Sequence, residues 1–540
     1  MSLPLSYNLL AAAIGIASHL AYFNRGEHHL YGTLYLQLFI LSFTTSLSLL
    51  TFLLHEPFTQ ALAKTASLTT FYLLGLYTSL LLYRIIFHPL NKFPGPFGAR
   101  ISNFWFSAHL KDADAYKKIQ KLHKQYGDFL RIGSSDMSII HPKAVSAIYG
   151  LKTKCRKAAW YDLTSPMISL QTARQKDVHD RRRRIWSLAF SDAALRGYED
   201  RIRNYRDQLV FQLDAFGGKP VNVPKWFNLY TFDVMGDLAF GTSFDMLASK
   251  EEHWAIKLLG VGIEPLSWMF PVWFFRILVA LPKLGDDWWK FIRYCSSKLD
   301  ERINAKPNIP DVMSTLLDPY KGQQPPKEDM QMLRGDSQLI VVAGSDTTAV
   351  TLTYIIYELL RHPNHISKLR DEVSPYVSLT GDALHAKIAN LDHLNGVIHE
   401  TLRLHPPVPS ALQRLTPPEG IQIGETYIPG NTTVFCPQYV LGRSESVYQN
   451  ANAFVPERWY LYPEMIKERS AFAPFSAGTY SCIGRPLALL NLRTTLIKLI
   501  TIFDIAFAPG EDGSTLREKS REHFTMALGD LNVCFVRREQ

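Results

Sequence analysis

The stretch "FSAGTYSCIGRPLA", residues 475–488, decides the fold, because it places one cysteine between two glycines with no second cysteine or histidine beside it. Gly478 and Gly484 permit tight turns and the close approach of a bulky flat ligand. Pro486 is placed to begin the following helix, whose free N–H groups favour a thiolate at Cys482. A lone thiolate is a poor zinc site and a good axial ligand for haem iron.

The other cysteines have no such surroundings. The chain has five cysteines without a CxxC pair, so neither a disulfide framework nor a structural zinc site is indicated. Cysteines among apolar residues are usually inert core residues. We expect this of the remaining four: Cys155, Cys295, Cys436 and Cys534.

The composition is that of a globular protein with a large core. Apolar residues make up 47% of the chain and aromatic residues 12%. The net charge of +9 is mild for 540 residues, and the only concentrated basic run is residues 181–184. This balance argues against a nucleic-acid partner, and it suits a surface near anionic membrane lipid.

Residues 1–88 predict a membrane region with up to three transmembrane helices. Residues 1–24, 28–55 and 65–83 contain no Asp, Glu, Lys or Arg, and each has the roughly 20 residues that a spanning helix needs. A signal peptide is the alternative for the first stretch, although a basic start and a clear cleavage site are missing. A single anchor with membrane-lying helices is the alternative for the set. Arg84 is expected to snorkel, and the loop charges favour a cytosolic domain.

The composition changes at residues 89–96, "PLNKFPGP", which we interpret as a stiff proline-rich hinge. Residues 97–540 show no internal repeat and are interpreted as one large, mainly helical domain. Its longest helical pattern runs from about residue 328 to 361, about 50 Å, and must cross the middle of the domain. Stretches such as residues 421–437 add short strands. The predicted fold is mainly α with small β-sheets, preceded by N-terminal transmembrane helices.

Polar residues interrupt the apolar centre of this long helix at "GSDTT", residues 344–348. A buried Asp346 without a partner costs several kcal/mol, and Gly344 costs about 1 kcal/mol relative to alanine. One interpretation is a kink made by Ser/Thr back-bonding, with a solvated aspartate. The functional interpretation is a helix opened at Ala343 and Gly344 to admit a flat ligand and oxygen. Thr347 and Asp346 would then relay protons through ordered water.

A second pair of motifs places charged residues among apolar ones. Glu400 and Arg403 share a helix face and can form a charge-assisted bond. Most such pairs are solvated and contribute little, but Arg458 in "FVPERW" can complete a buried triad with Glu400. We expect the triad to fix geometry more than to add stability.

Together these motifs resemble those of the cytochrome P450 family, in the same order and spacing, over roughly residues 85–540. The resemblance implies the cytochrome P450 fold, haem b (iron protoporphyrin IX) as cofactor, and Cys482 as the axial ligand of its iron. The matching positions are Phe475, Gly478, Cys482, Gly484 and Ala488 of the haem loop, with Phe475 over the sulfur; Ala343 to Thr348 of the oxygen-activating helix; Glu400, Arg403 and Arg458 of the triad; and Phe93 to Pro96 of the hinge.

The resemblance also implies residues that meet the haem propionates. His179 and Arg183 in "HDRRRR" are similar to the family's propionate-binding helix, and Arg414 is similar to an arginine that meets a propionate. The chain departs from the pattern at Tyr480, where the family usually has Arg or His. Tyrosine donates one neutral hydrogen bond, so this anchor is weakened.

Two segments keep two interpretations each. Residues 266–282, apolar and aromatic, form either a membrane-dipping lip over the substrate entrance or part of the core. Trp160, Tyr161 and Ile168 fall where the family has a loop over the haem, although ordinary packing would explain them too. The other arginines of the basic run are expected on a solvated or lipid-facing surface: Arg181, Arg182 and Arg184.

The resemblance implies a membrane-anchored monooxygenase that inserts one atom of O2 into a small apolar organic substrate. No flavin or nucleotide-binding motif is visible, so electrons are expected from a separate flavoprotein, an NADPH-cytochrome reductase. The chain is similar to fungal secondary-metabolism members, including tryprostatin hydroxylase-like enzymes. We expect the membrane to be the endoplasmic reticulum, with the catalytic domain in the cytosol.

Two alternatives stand beside this prediction. The first is a haem-thiolate isomerase, dehydratase or oxidative cyclase on the same fold, which the intact Asp346–Thr347 pair disfavours. The second lies outside enzymes: a membrane receptor or transport component whose soluble domain carries a structural cysteine. Only the candidate spans support it.

Overall fold

Three apolar helices precede the catalytic domain. The computed structural model describes residues 4–539 except residues 111, 282, 306–309, 321 and 411. The first helices are α1 (Leu5–Ser18), α2 (Gly32–Ser48) and α3 (Phe58–Leu82). By length and composition the three helical segments that contain them, Leu5–Phe23, Gly32–Leu53 and Phe58–Lys92, can cross a membrane. A fourth helix that meets the same measure, α16 (Lys327–Arg361), is largely buried inside the catalytic domain.

Helices α1 and α3 lie against each other through two glycines. A Cβ added to Gly15 would lie 2.1 Å from the carbonyl oxygen of Tyr72, and one added to Gly75 would lie 2.1 Å from that of Ala12. Small residues at such crossings allow spanning helices to approach closely. Asn8 of α1 contacts Ser67 of α3, and His19, which directly follows α1, contacts Ser79 of α3. Later residues of the first segment thus contact later residues of the other, so α1 and α3 run parallel.

The catalytic domain is mainly helical, and α16 crosses its centre. This helix packs against several others of the domain, and most of its residues are buried, apart from the stretch around Ala343. The domain's other helices are α4 (Phe97–Ile101), α5 (Phe104–Ala108), α6 (Ala115–Tyr126), α7 (Ala144–Tyr149), α8 (Lys176–Ala189), α9 (Asp192–Asp214), α10 (Val223–Phe240), α11 (Met246–Ser249), α12 (Trp254–Ile263), α13 (Val272–Ala280), α14 (Asp286–Ala305), α15 (Val312–Leu317), α17 (Asn364–Val373), α18 (His385–Ile388), α19 (Asp392–Leu404), α20 (Gln438–Leu441), α21 (Arg485–Ile502) and α22 (Ser514–Lys519).

Short strands form small sheets at the edges of the helical body. The largest sheet has the order β1-β2-β8-β5-β3, and a three-stranded sheet has the order β4-β12-β9. Two hairpins, β6-β7 and β10-β11, complete the set in the described chain. The strands are β1 (Phe129–Arg131), β2 (Asp136–Ile139), β3 (Arg156–Lys157), β4 (Val221–Asn222), β5 (Arg414–Leu415), β6 (Ile421–Ile423), β7 (Thr426–Ile428), β8 (Thr433–Phe435), β9 (Phe503–Phe507), β10 (Arg521–His523), β11 (Thr525–Ala527) and β12 (Asn532–Arg537).

The apolar segment is described over residues 266–281, and most of its side chains are partly exposed. Its helix α13 contains no buried residue, which argues against the core interpretation for this helix. It packs instead on α2, where Gly32 lies against the backbone of Trp273 and the side chain of Ile277. This arrangement favours the membrane-dipping interpretation, because α2 is itself a candidate span.

Candidate functional site

The cysteine loop is closed by a hydrogen bond from the backbone N–H of Cys482 to the carbonyl oxygen of Phe475, at 2.8 Å. Gly478 has φ +64°, and a Cβ there would lie 2.2 Å from the carbonyl oxygen of Tyr149. Gly478 is therefore needed for the turn and for packing on backbone. Gly484 is different, because a Cβ there would meet only Phe190 at 3.8 Å and the Cys482 sulfur at 3.9 Å.

The sulfur of Cys482 lies just before α21, which begins at Arg485 with Pro486 in its first turn. Burial raises the pKa of the Cys482 thiol, while backbone N–H groups of Gly484 and Arg485 and the Arg183 charge act in the opposite direction. The N–H groups predicted to favour the thiolate are in place, but burial outweighs them in the protein alone. A metal cation at the sulfur favours the thiolate outright.

A cavity of about 430 Å³ separates the cysteine loop from the middle of α16. Its walls are mostly aromatic and aliphatic, as in sites for apolar organic molecules. Cys482 lies on one wall, and Ala343, Gly344 and Thr347 lie on the facing wall. Trp160 and Tyr161 also line it, whereas the side chain of Ile168 is exposed.

Helix α16 is continuous past Ala343 and Gly344, so the predicted opening of the helix is wrong. The hydroxyls of Thr347 and Thr348 donate to the carbonyl oxygens of Ala343 and Gly344, each at 2.9 Å, without interrupting the helix. A Cβ on Gly344 would lie 2.6 Å from the Met235 sulfur, so this glycine allows α10 to pack closely. The space beside α16 comes from the small side chain of Ala343, which is exposed to the cavity.

Asp346 and Thr347 lie at the side of α16 next to β11. Burial raises the pKa of Asp346 to about 7, and a hydrogen bond with Thr525 opposes this shift. Thr525 and Thr347 both line the cavity. The pair thus places a carboxyl that titrates near neutral pH behind two hydroxyls at the cavity wall, which is the arrangement that proton transfer requires.

Three cations converge at one end of the cavity, beside the cysteine loop: Lys157, Arg183 and Arg414. Lys157 donates to the carbonyl oxygen of Leu170 at 3.0 Å, and Arg183 donates to that of Ser481 at 2.7 Å. None of the three forms an ion pair with a carboxylate in the described part of the chain. Burial, then Arg414 and Arg183, hold the pKa of Lys157 well below its usual range.

This end of the cavity fits a group that carries carboxylates. Arg414 is buried, and its Nε has no hydrogen-bond partner. Its Nη1 donates to the hydroxyl of Tyr161 at 2.8 Å. Buried cations need anionic partners, and the two propionates of haem b would supply them. The same cavity offers the sulfur of Cys482, so the residues present match both the anionic edge and the iron of that cofactor.

His179 lies beside these cations without adding charge. Its ring centre is 4.6 Å from that of Tyr480, and its Nδ1 is 2.9 Å from Asp180 Oδ1. Burial and then Lys157 lower the pKa of His179 to about 4, although Asp180 opposes the shift. The contact with Tyr480 places His179 at the edge where the propionates are expected, and its role in binding them stays a prediction.

The predicted triad is assembled in the core behind the cavity. Glu400 accepts from Arg403 Nη2 at 2.7 Å and Nε at 2.8 Å, and from Arg458 Nε at 2.9 Å. Trp459 Nε1 adds a further bond at 3.0 Å. The side chains of the three triad residues are fully buried.

One residue of the basic run, Arg182, does not lie where the sequence predicts. Arg182, expected on a solvated or lipid-facing surface, is buried and donates from Nε to Asp336 at 2.6 Å. The same carboxylate accepts from Trp186 at 3.0 Å and from the backbone N–H of Leu170 at 2.7 Å. Asp336 thereby joins α16, α8 and the loop over the cavity, and this explains why Arg182 lies inside.

A cavity lined by Cys482 at the start of a helix and by cations that can bind carboxylates is typical of a haem-thiolate protein. The family model described as Cytochrome P450 matches residues 94–535. The chain belongs to the cytochrome P450 family, whose haem-thiolate proteins use haem b, and it is a haem-dependent monooxygenase. The haem domain of cytochrome P450DA has the same fold, with a TM-score of 0.66 at 20% identity, over 80% of this chain and 94% of that one.

Curated relatives match the whole length of the chain. It is 48% identical to the cytochrome P450 monooxygenase notG' of Aspergillus versicolor, over 100% of both chains. It is 46% identical to tryprostatin B 6-hydroxylase of Aspergillus fumigatus, over 98% of this chain and 96% of the relative. It is 41% identical to the cytochrome P450 monooxygenase lcsK of Purpureocillium lilacinum, over 99% of both chains.

Lys157 is the candidate site residue that the sequence did not reveal. Nothing in "CRKAAW" separates it from the exposed lysines nearby, because its burial depends on Leu170 and Tyr480, which are distant in the chain. The one available signal was its position, three residues before the aromatic pair Trp160 and Tyr161.

Proposed function

We propose that this enzyme hydroxylates an apolar secondary metabolite similar in size and polarity to tryprostatin B. The observation that carries the proposal is the apolar cavity bounded by Cys482 on one wall and Thr347 on the other. Aromatic side chains from distant segments line it, among them Trp160, Phe275 and Phe524. The similarity to tryprostatin B 6-hydroxylase, at 46% identity, supports hydroxylation as the reaction.

The residues divide the work in the following way. Bound haem supplies the oxygen activation, and Cys482 is the proposed ligand of its iron. Phe475, Gly478 and Gly484 shape the loop around the sulfur. Arg183, Arg414 and Lys157 hold the propionates, and His179 orders this edge through its contact with Tyr480.

Thr347 and Asp346 are the proposed proton-transfer residues. Asp346 holds a proton near neutral pH and can pass it by way of Thr525 and ordered water to the cavity. Because Ala343 and Gly344 are small, they leave space in the cavity beside α16. Glu400, Arg403 and Arg458 position the loops around this centre without touching the substrate.

The proposal includes the setting of the enzyme. Residues 1–88 are the proposed membrane region with up to three spans, residues 89–96 the hinge, and residues 97–540 the catalytic domain. Electrons come from a separate NADPH-cytochrome reductase on the same membrane. We propose the endoplasmic reticulum, with the catalytic domain in the cytosol, since Arg84 and Lys92 follow the third span.

A spectrum tests the haem ligand. The reduced, carbon-monoxide-bound protein should show the red-shifted band of a thiolate ligand, and Cys482→Ala should abolish that band. Cys436→Ala is the matched control, because Cys436 is buried and also borders the cavity. A folded, haem-loaded Cys482→Ala variant that kept the band would contradict the assignment.

An isotope experiment tests the reaction. The full-length protein in lipid nanodiscs, with an NADPH-dependent reductase, should convert tryprostatin B under 18O2 to a product that carries one labelled atom. A product formed without label would favour the isomerase, dehydratase or cyclase alternative. No turnover of tryprostatin B, but labelled product from another apolar metabolite, would confine the error to the substrate.

A further inference from the structure

The loop between the first two helices, residues 24–31, contacts the catalytic domain. Glu27 accepts two bonds from Arg174 Nη2, at 2.7 and 2.8 Å, and lies 3.4 Å from Arg156 Nη2. His29 Nε2 lies 2.8 Å from Asp162 Oδ2. All four principal partners are shielded, with side-chain exposures between 11% and 29%. Charge-assisted bonds of this kind are the stronger ones.

These contacts lead directly to the wall of the cavity. Arg174 also donates to Asp162, and its Nε donates to the carbonyl oxygen of Lys157 at 3.0 Å. Asp162 ends the short helical turn Ala159–Asp162, whose Trp160 and Tyr161 line the cavity. Residues 24–31 of the membrane region therefore support the cavity wall from the side that faces away from the cavity.

The surface helix α13 holds the same turn from another side. Arg276 Nη1 donates to the carbonyl oxygens of Asp162 and Ser165, both at 2.9 Å. Helix α13 packs on α2, which begins at the end of the 24–31 loop. These two attachments of the turn, through Asp162 and through Arg276, thus lead to the membrane region.

The loop is itself ordered by its own contacts. His28 Nε2 lies 2.6 Å from the carbonyl oxygen of Arg25, and its Nδ1 lies 2.8 Å from the hydroxyl of Tyr35. The rings of Tyr22 and Phe23 pack against the His28 ring. A loop fixed in this way presents Glu27 and His29 at little further cost in conformational entropy.

We propose that residues 24–31 are a docking element that fastens the cavity wall, residues 159–174, to the membrane region, with Glu27 and His29 as positioning residues. The parallel course of α1 and α3 fits this assignment, because it places the end of α1 and the hinge after α3 on the same side as the catalytic domain. The shape of the substrate cavity then depends on the N-terminal helices, which serve as more than an anchor.

Hydrogen exchange of the full-length holoenzyme in lipid nanodiscs tests the proposal. The double variant Glu27→Ala/His29→Ala should raise the exchange rate of residues 159–174 roughly tenfold, while α19 exchanges as in the parent protein. Glu56→Ala is the matched control, because Glu56 pairs with Lys64 of α3 away from the catalytic domain. Unchanged exchange of residues 159–174 in the double variant, or an equal rise in Glu56→Ala, would overturn the proposal.

A second readout addresses the cavity itself and rests on the proposed haem site. The association rate of 4-phenylimidazole, followed by the haem absorbance, should change severalfold in the double variant and stay unchanged in Glu56→Ala. The double variant could show raised hydrogen exchange of residues 159–174 but an unchanged association rate of 4-phenylimidazole. That result would show that the docking element is purely structural, and it would overturn the proposed link to the cavity. Absence of the haem spectrum in the parent protein would instead reject the proposed function, leaving the exchange result to stand.

Discussion

The ammonium nitrogen of Lys157 lies 4.8 Å from the centre of the Tyr480 ring. The guanidinium carbon of Arg414 lies 5.2 Å from the same ring. A desolvated cation over an aromatic face is stabilised by about 2 kcal/mol. Tyr480, which departs from the family pattern, carries no charge. Its ring nevertheless lowers the free-energy cost of burying Lys157 and Arg414 at the cavity.

This relationship predicts that the ring of Tyr480 matters and its hydroxyl does not. Tyr480→Phe should retain haem as the parent protein does, because the contacts of Tyr480 with His179, Lys157 and Arg414 involve the ring. Tyr480→Leu should release haem roughly tenfold faster, since about 1–2 kcal/mol of cation–π attraction is lost. Haem transfer to excess apomyoglobin measures both rates. Equal loss in the Phe and Leu variants would assign the role to the hydroxyl.

Lys157 should contribute to haem retention through its charge. Lys157→Met keeps most of the side-chain volume and removes the cation that lies nearest to Tyr480, so haem release should accelerate roughly tenfold or more. Lys152→Met is the control, because Lys152 is exposed five residues away. The same transfer assay distinguishes the two variants. Similar release rates in both would exclude Lys157 from the propionate site.

The features that the sequence predicted correctly are those that a local pattern encodes. The cysteine loop, the course of α16 and the Glu400–Arg403 pair all depend on spacings within one segment. The buried pair of Arg182 and Asp336 joins positions 154 residues apart, so a basic run alone could not reveal it. The sequence marks Gly344 as unusual, but the side chain that requires a glycine there, Met235 of α10, lies outside the helix of Gly344.

Substitutions in the triad should lower the free energy of unfolding more than substitutions in exposed ion pairs. Glu400→Gln leaves Arg403 and Arg458 buried without their carboxylate, which should lower the free energy of unfolding by about 3–5 kcal/mol. Asp214→Asn breaks the more exposed pair with Arg537 and should cost at most about 1 kcal/mol. Urea unfolding followed by tryptophan fluorescence compares the two. A Glu400→Gln variant as stable as Asp214→Asn would show that the triad positions loops without stabilising them.

Asp346 should make the stability of the protein depend on pH in an unusual direction. Burial raises its pKa from 3.8 to about 7, so between these values the folded state binds a proton that the unfolded state has released. Folding is therefore favoured at low pH, and this contribution is lost as the pH rises from about 4 to about 7. Asp346→Asn should remove it, so the stability of the parent protein minus that of the variant should fall by roughly 2 kcal/mol from pH 5 to pH 8.

Thermal unfolding of both proteins in nanodiscs at pH 5, 6, 7 and 8 measures this difference, and the other titrating groups cancel in the comparison. The variant should also form less product per NADPH consumed, by about 10²-fold, if Asp346 supplies the transferred proton. Thr353→Val is the control, because Thr353 is a buried residue of α16 that donates to its own helix at 2.9 Å. A pH-independent stability difference with unchanged coupling would show that Asp346 is ionised throughout and takes no part in proton transfer.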